Sequence, residues 1–310
     1  MITFGPVPSR RLGQSLGINN IPPKVCTYSC TYCQAGRTSE LSVQRKKFYE
    51  PGRILREVEQ RITKAREKAE DIDYLTFAPD GEPTLDENLG REIEALRRFG
   101  IKIAVITNSS LLWDKNVREQ LSRADWVSIK IDVVSPDTWR TLNRPHPSLD
   151  LARVLEGIED FTDIFEGFLA TETMLIGGVN DAQEEVEKTA DFTAGLIASK
   201  SYISVPTRPP AEGEVSQPDE SAVNRAYQIF TERGIVTECL IGYEGNAFAF
   251  TGDVKKDILS ITSVHPMKQE AVDEVLRKAG ASTDVVGEMI AEGKLRKVRY
   301  REQDFYVRKI

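Results

Sequence analysis

The chain has 310 residues, of which 40% are hydrophobic and 29% charged, the composition of a globular protein with a large core. A net charge of -7 gives no general support for a nucleic-acid binder, and four cysteines are too few for a disulfide framework. No run of about 18 apolar residues offers a membrane span, and the opening segment lacks the apolar stretch of a secretory signal, so a cytoplasmic protein is expected.

In chain order, a β-rich run at 15–19 precedes the cysteines. Helical patterns cover 51–70, 85–99, 115–122, 149–161, 181–197 and 221–233. Between them, strand patterns occupy 74–77, 102–107, 126–133, 168–176, 202–205 and 236–241. This alternation implies parallel βαβ units, and their number favours a partial or full (β/α) barrel with its chemistry at the carboxyl ends of the strands. The Pro- and charge-rich segment 207–218 reads as a loop or lid over that end. After residue 253 the alternation stops. Three short helices at 256–263, 268–279 and 284–292 precede two alternating runs with a turn near 302–304, a winged-helix pattern. Breaks are expected at 264–266 and 280–282, with Thr283 as a helix cap. A barrel domain (1–253) and a winged-helix-like domain (254–310) follow. The second carries 12 Lys and Arg against 9 Asp and Glu, and the first 29 against 39, so the tail is the basic part of an acidic chain.

Cys26, Cys30 and Cys33 lie together in "PPKVCTYSCTYCQAG", residues 22–36. Positions i, i+4 and i+7 share a helix face, so packing is one explanation. The preceding Pro22 and Pro23, the weak helix formers Thr27, Tyr28, Thr31 and Tyr32, and the lack of apolar partners at helical spacing count against it. A structural zinc site needs four ligands, and the two histidines, His146 and His265, are distant in sequence. Iron–sulfur clusters are built on thiolates, and three thiolates leave one iron of a four-iron cube open.

CxxxCxxC, with Tyr32 just before the last cysteine, resembles the cluster motif of the radical S-adenosylmethionine (SAM) superfamily, and the likeness extends over roughly residues 1–245. The resemblance implies a partial or full barrel and a [4Fe–4S] cluster held by Cys26, Cys30 and Cys33. It also implies SAM on the open iron and an electron donor such as flavodoxin or ferredoxin. Reductive cleavage of SAM then yields a 5′-deoxyadenosyl radical that abstracts hydrogen from a substrate.

Further segments fit that likeness. "FAPDGEPTL" places Gly81, Glu82 and Pro83 after the second strand, like the family's GGE-type motif with Asp80 for its first glycine, and gives Glu82 the SAM ammonium. Asn108 ends the third strand, where it suits the methionyl carboxylate or a simple turn. Ser128, Lys130 and Asp132 share one face at period two, either as a ribose and carboxylate site or as a buried ion pair. Gly177, in "ETMLIGGVND", resembles the segment near adenine, with Glu172 and Asn180 as lesser candidates. Val205 is expected against adenine, although core packing explains it equally. The irregular segments hold Arg10, Arg11, Arg37, Arg144, His146 and Arg208, which suit an anion if they converge.

The opening segment and "LNRPHP" resemble a group related to wyosine-base synthases, which modify tRNA. Those enzymes carry extra cysteines for a second cluster, whereas only Cys239 remains here, so a second four-cysteine cluster is excluded. The substrate stays open among tRNA or other nucleic acid, protein and small molecule, and the basic run "KLRKVRYR" fits nucleic acid or protein. The rival class is a metal- or redox-sensing nucleic-acid-binding regulator, against which the long α/β scaffold and Glu82 weigh.

Overall fold

The structure, a computed structural model, describes residues 2–241, 253–262, 266–300 and 302–309. The chain opens with an antiparallel hairpin of β1 (Thr3–Ser9) and β2 (Gly13–Ile18). A short parallel pair, β3 (Val25–Cys26) and β4 (Glu40–Leu41), brackets the cysteine loop. There follow α1 (Pro51–Glu67), β5 (Tyr74–Phe77), α2 (Leu89–Leu96), β6 (Lys102–Thr107), α3 (Lys115–Leu121) and β7 (Trp126–Lys130). Next come α4 (Pro136–Leu142), α5 (Leu151–Ile164), β8 (Phe168–Met174), α6 (Gln183–Ala194), β9 (Lys200–Ser204), α7 (Glu220–Glu232) and β10 (Thr237–Leu240). One sheet runs β1-β2-β5-β6-β7-β8-β9-β10. All neighbours from β2 to β10 are parallel, and β1 and β10 stand at the two edges, so the barrel is partial. Among the described residues no helix is long and apolar enough to cross a membrane.

The strands are buried on both faces, as expected when helices cover a parallel sheet. On the outer face Ile103, Val105, Val127 and Ile129 pack in one core with Ile54, Val58 and Ile62 of α1 and Phe161 of α5. The α1 residues recur every four positions, which gives the helix one apolar stripe. Burying each such side chain contributes about 1.5–3 kcal/mol. The inner face is the alternate set, Ala104, Trp126, Ala170 and Tyr202, and the hairpin tip fills it with Leu12. Because β2 starts at Gly13 and β7 at Trp126, the tip enters from the amino-terminal end of the strands. Arg11, beside Leu12, ion-pairs with Glu172 of β8 and lies 5.9 Å over the rings of both Trp126 and Tyr202.

The last segment comprises α8 (Val254–Thr262), β11 (Met267–Lys268), α9 (Gln269–Ala279), α10 (Asp284–Ala291), β12 (Leu295–Tyr300) and β13 (Gln303–Arg308). Its antiparallel sheet runs β11-β13-β12. The unit is not detached: Phe4 and Val7 of β1 share a core with Ile258, Ile261, Met267 and Val275. Arg61 of α1 and Asp257 of α8, both buried, meet at 3.6 Å.

Three features depart from the sequence expectations. Strand β1 was not expected, since Gly5, Pro6 and Pro8 interrupt it; an edge position with a register shift between Phe4 and Val7 tolerates them. Helix α4 is too short for a periodic signal and buries only Trp139 and Leu142. The expected cap Thr283 makes no side-chain cap, and Ser282 Oγ instead accepts from Asp284 N at 3.2 Å. The expected break at 264–266 falls largely outside the described residues, as do His265 and Arg301.

Asp257→Asn leaves the Arg61 guanidinium buried without its counter-charge and is expected to cost about 3 kcal/mol, read as a lower urea midpoint. The exposed change Glu59→Gln should cost under about 0.5 kcal/mol. Burial alone would raise the Glu172 carboxyl, but Arg11 and Lys130 outweigh it and hold it well below the usual carboxylate range. A depressed carboxyl stabilises above its unfolded value, about 4.3, and loses that contribution as pH falls through its folded value. Glu172→Gln should therefore lower stability at pH 7 and flatten its loss below about pH 4; an unchanged acid limb would count against the clamp.

Candidate active site

The cysteine loop is held by main-chain bonds to two strand-end segments. Lys24 N donates to Asp80 O (2.6 Å) and Glu82 N to Val25 O (3.1 Å). On the other side Thr31 N donates to Leu142 O (2.9 Å), Ser29 N to Asn143 O (3.1 Å) and His146 N to Thr27 O (2.9 Å). Gly81 permits the Glu82–Val25 contact, because a Cβ there would lie 2.0 Å from Val25 O. The buried ion pair Lys24–Asp80 (2.6 Å) ties the same two segments.

Beneath the loop lies a cavity of about 270 Å³, lined by all three cysteines of the motif. Tyr32, Gly81, Glu82, Asn108, Lys130 and Asp132 also line it, so six of the ten other expected site residues converge there. Four do not line it. Pro83 is buried in a short 3-10 turn, and its carbonyl accepts from Asn20 Nδ2 at 3.1 Å. Ser128 shares the inner face with Lys130, as its period predicts, but lies one step deeper in β7 and is fully buried. Gly177 faces the 206–219 segment, where a Cβ would meet Gln217 O at 2.7 Å. Val205 belongs to the core with Val186, Ala190 and Phe230, on the side covered by α6 and α7. Of the lesser candidates, Glu172 lines the cavity, whereas Asn180 braces a turn by donating to Asp132 O (3.0 Å) and Met174 O (2.9 Å).

Glu82 is 1% exposed. Its Oε1 accepts from Thr84 N (3.1 Å), Thr84 Oγ1 (2.6 Å) and Thr107 Oγ1 (2.6 Å), and its Oε2 accepts from Asn108 N (2.7 Å). Burial raises its pKa, and these four donors oppose the rise. Asp132 accepts from Tyr32 Oη, from Asn143 Nδ2 (2.7 Å) and from Met174 N (3.0 Å). Lys130 pairs with Glu172 at 3.4 Å and lies 4.9 Å over the Tyr32 ring. Burial would depress its ammonium pKa, but Glu172 and Asp132 hold it above the usual value.

The side-chain amides of Asn108 and Asn143 donate to the sulfurs of Cys26 and Cys30, each at 3.5 Å. Burial is the main cause that raises both thiols, that of Cys30 to about 12, so a metal must replace the proton to form the thiolate. Among the described residues no three His, Cys, Asp or Glu side chains converge on one ion. Cys239 lies in the core beside β9 and α7, away from the trio.

Sequence reasoning missed Asn143 and Glu212. Asn143 follows the unread helix α4, and the only hint was its place in "LNRPHP". Glu212, in the 206–219 segment, binds Arg37 (2.8 Å) and Arg144 (2.9 Å), and its N–H donates to Thr31 O (3.0 Å). Of the six scattered basic residues, Arg37 and Arg144 thus meet at one carboxylate, Arg11 reaches the inner face of the sheet, and His146 makes a local bond to Ser148 (2.8 Å).

Comparison with known proteins identifies the family. The model of the radical SAM superfamily matches residues 20–193. A UPF0026 protein of Methanocaldococcus jannaschii is 48% identical over 311 residues, covering 100% of this chain and 96% of its own. A radical SAM methyltransferase from Sphaerobacter thermophilus has a TM-score of 0.58 at 20% identity over 73% of this chain and 66% of that one. Streptococcus suis SuiB bound to S-adenosylmethionine has a TM-score of 0.53 at 13% identity over 72% and 49%. These two structures share the fold. The chain belongs to the radical SAM superfamily, enzymes that bind a [4Fe–4S] cluster and S-adenosylmethionine, and within it to the UPF0026 proteins.

Proposed function

We propose that Cys26, Cys30 and Cys33 hold the cluster, that Glu82, Asn108, Lys130 and Asp132 hold SAM beside it, and that the enzyme modifies a macromolecule, RNA or protein. The observation that carries this is the single cavity shared by three thiols and a buried glutamate at the carboxyl ends of parallel strands. When bound, the cluster and SAM supply a 5′-deoxyadenosyl radical that takes a hydrogen atom from the substrate.

The chain's own residues prepare the site. The Asn108 and Asn143 amides stabilise negative charge on Cys26 and Cys30. Glu82 Oε2 takes one donor here and keeps room for an ammonium N–H, while its other oxygen is anchored by three bonds. Lys130 presents a cation to a carboxylate. Asp132 Oδ1 takes only Met174 N and has a lone pair for a hydroxyl donor. Tyr32 keeps the last cysteine turn against Asp132. The electron comes from an external carrier of flavodoxin or ferredoxin type.

The order of helices and strands from α8 to β13 supports a winged helix at 254–310 that presents the partner. The sequence likeness to the wyosine-related group favours RNA, and the lack of extra cysteines argues against the same condensation.

Anaerobic reconstitution should give one oxygen-sensitive four-iron cluster with reduced visible absorbance in Cys26→Ala, Cys30→Ala or Cys33→Ala and full absorbance in Cys239→Ala. Stoichiometric zinc without iron would sink the assignment. Reduced protein is expected to release 5′-deoxyadenosine slowly from SAM. Glu82→Gln should keep the cluster and weaken SAM binding by about 2 kcal/mol, roughly thirtyfold in Kd; unchanged affinity would remove Glu82 from the SAM site.

A further inference from the structure

Away from the cysteine cavity, α1 and α8 enclose a groove of about 430 Å³. Arg53, Arg56 and Lys64 of α1 line it with Lys256 of α8. Residues 53, 56, 60 and 64 recur every three or four positions and so form one helical stripe. From Arg53 to Lys64 the stripe runs about 16 Å. Among the described residues Glu57 pairs with Arg53 at 3.5 Å and the buried Asp257 meets Arg61 at 3.6 Å. Arg56, Lys64 and Lys256 are exposed and make no ion pair among the described residues.

We infer that this groove binds the phosphate backbone of an RNA strand and docks that RNA on the enzyme. A protein of net charge -7 repels a polyanion over most of its surface, so a cation stripe with few partners sets where one can land. The stripe is too long for a single phosphate and matches successive phosphates along a strand. Arginine forks suit phosphate oxygens. A lipid surface fits less well, because among the described residues no exposed large apolar side chain lies on α1 or α8 to insert. The basic hairpin of β12 and β13, which the sequence offers as a contact for nucleic acid or protein, is partly neutralised: Lys297 and Arg299 share Asp304 (2.8 and 3.2 Å), and Lys294 pairs with Glu292 (2.6 Å). The inference names the partner class of the enzyme proposed above, but the groove lies outside the residues assigned to SAM, so each fails separately.

The test is fluorescence anisotropy of a labelled 20-base-pair RNA hairpin with the full-length protein from 50 to 300 mM salt. Arg56→Glu/Lys64→Glu/Lys256→Glu should weaken binding at least about 100-fold at 100 mM salt and lower the slope of log K against log salt by about 2–3, one counterion per lost phosphate contact. The neutral triple variant with glutamine should fall between, and both should release 5′-deoxyadenosine from SAM at the wild-type rate. Unchanged affinity and slope overturn the inference. So does loss of hairpin binding on Arg296→Glu/Arg299→Glu with the groove variant unaffected, and so does wild-type protein that binds inorganic pyrophosphate but no hairpin, which marks a small phosphorylated ligand instead.

Discussion

The site depends on a main-chain constraint: a loop with almost no regular structure must hold three thiols in fixed positions. Its backbone meets residues 80–82 on one side and 142–146 on the other, so strand-end segments define where the sulfurs lie. The Glu82–Val25 contact tolerates no side chain at residue 81, because Val25 O occupies the place of a Cβ. Gly81 therefore acts through packing, and the adjacent Glu82 gains its position from the same contact. A four-donor cage then fixes the Glu82 carboxylate to the end of β6 through Thr107 and Asn108. One glutamate thereby couples the second parallel strand of the chain to the cysteine loop, since Asn108 also reaches Cys26.

The inner face of the sheet carries a linked series of charges. Arg11 from the hairpin binds Glu172, which binds Lys130, which lies over Tyr32. Tyr32 binds Asp132, and Asn143 joins Asp132 to the Cys30 sulfur. Buried charges in an apolar sheet are costly unless paired, and here each meets a partner of opposite sign or a hydrogen bond. The tip of the amino-terminal hairpin thus supports the floor of the cavity through Glu172, although it lies at the opposite end of β2 from the cysteine loop.

Much of this was legible in sequence. Periods of two and of three to four located the parallel strands and most covering helices, because burial on a pleated or helical face leaves that imprint. Ser128, Lys130 and Asp132 were correctly placed on one face for the same reason. Depth along a strand leaves no such imprint, which is why Ser128 fell below the cavity. Val205 lies just past the end of β9, and alternation turned it toward the helices. Gly177 and Pro83 stood in motifs whose local roles are close packing and a turn. Asn143 and Glu212 were invisible because their partners lie 113 and 175 residues away in the chain, and no local pattern encodes such contacts.

The contacts around the cavity differ in strength. Below, Glu172 is buried between the half-buried Arg11 and Lys130, and their attraction is less screened by salt than that of an exposed pair. Beside the cysteine loop, the 206–219 segment is held through Glu212, whose partners Arg37 and Arg144 are 72% and 50% exposed. Exposed pairs of this kind contribute little and weaken with ionic strength. A main-chain bond to Thr31 and the packing of Val215 against the Tyr28–Trp139 cluster add to them without burying the charges. The segment is thus the more readily opened side, and releasing Glu212 would free two arginines beside the cysteines. Movement of the 206–219 segment would therefore cost only exposed pairs, whereas movement of the hairpin tip would require separating Arg11 from the buried Glu172.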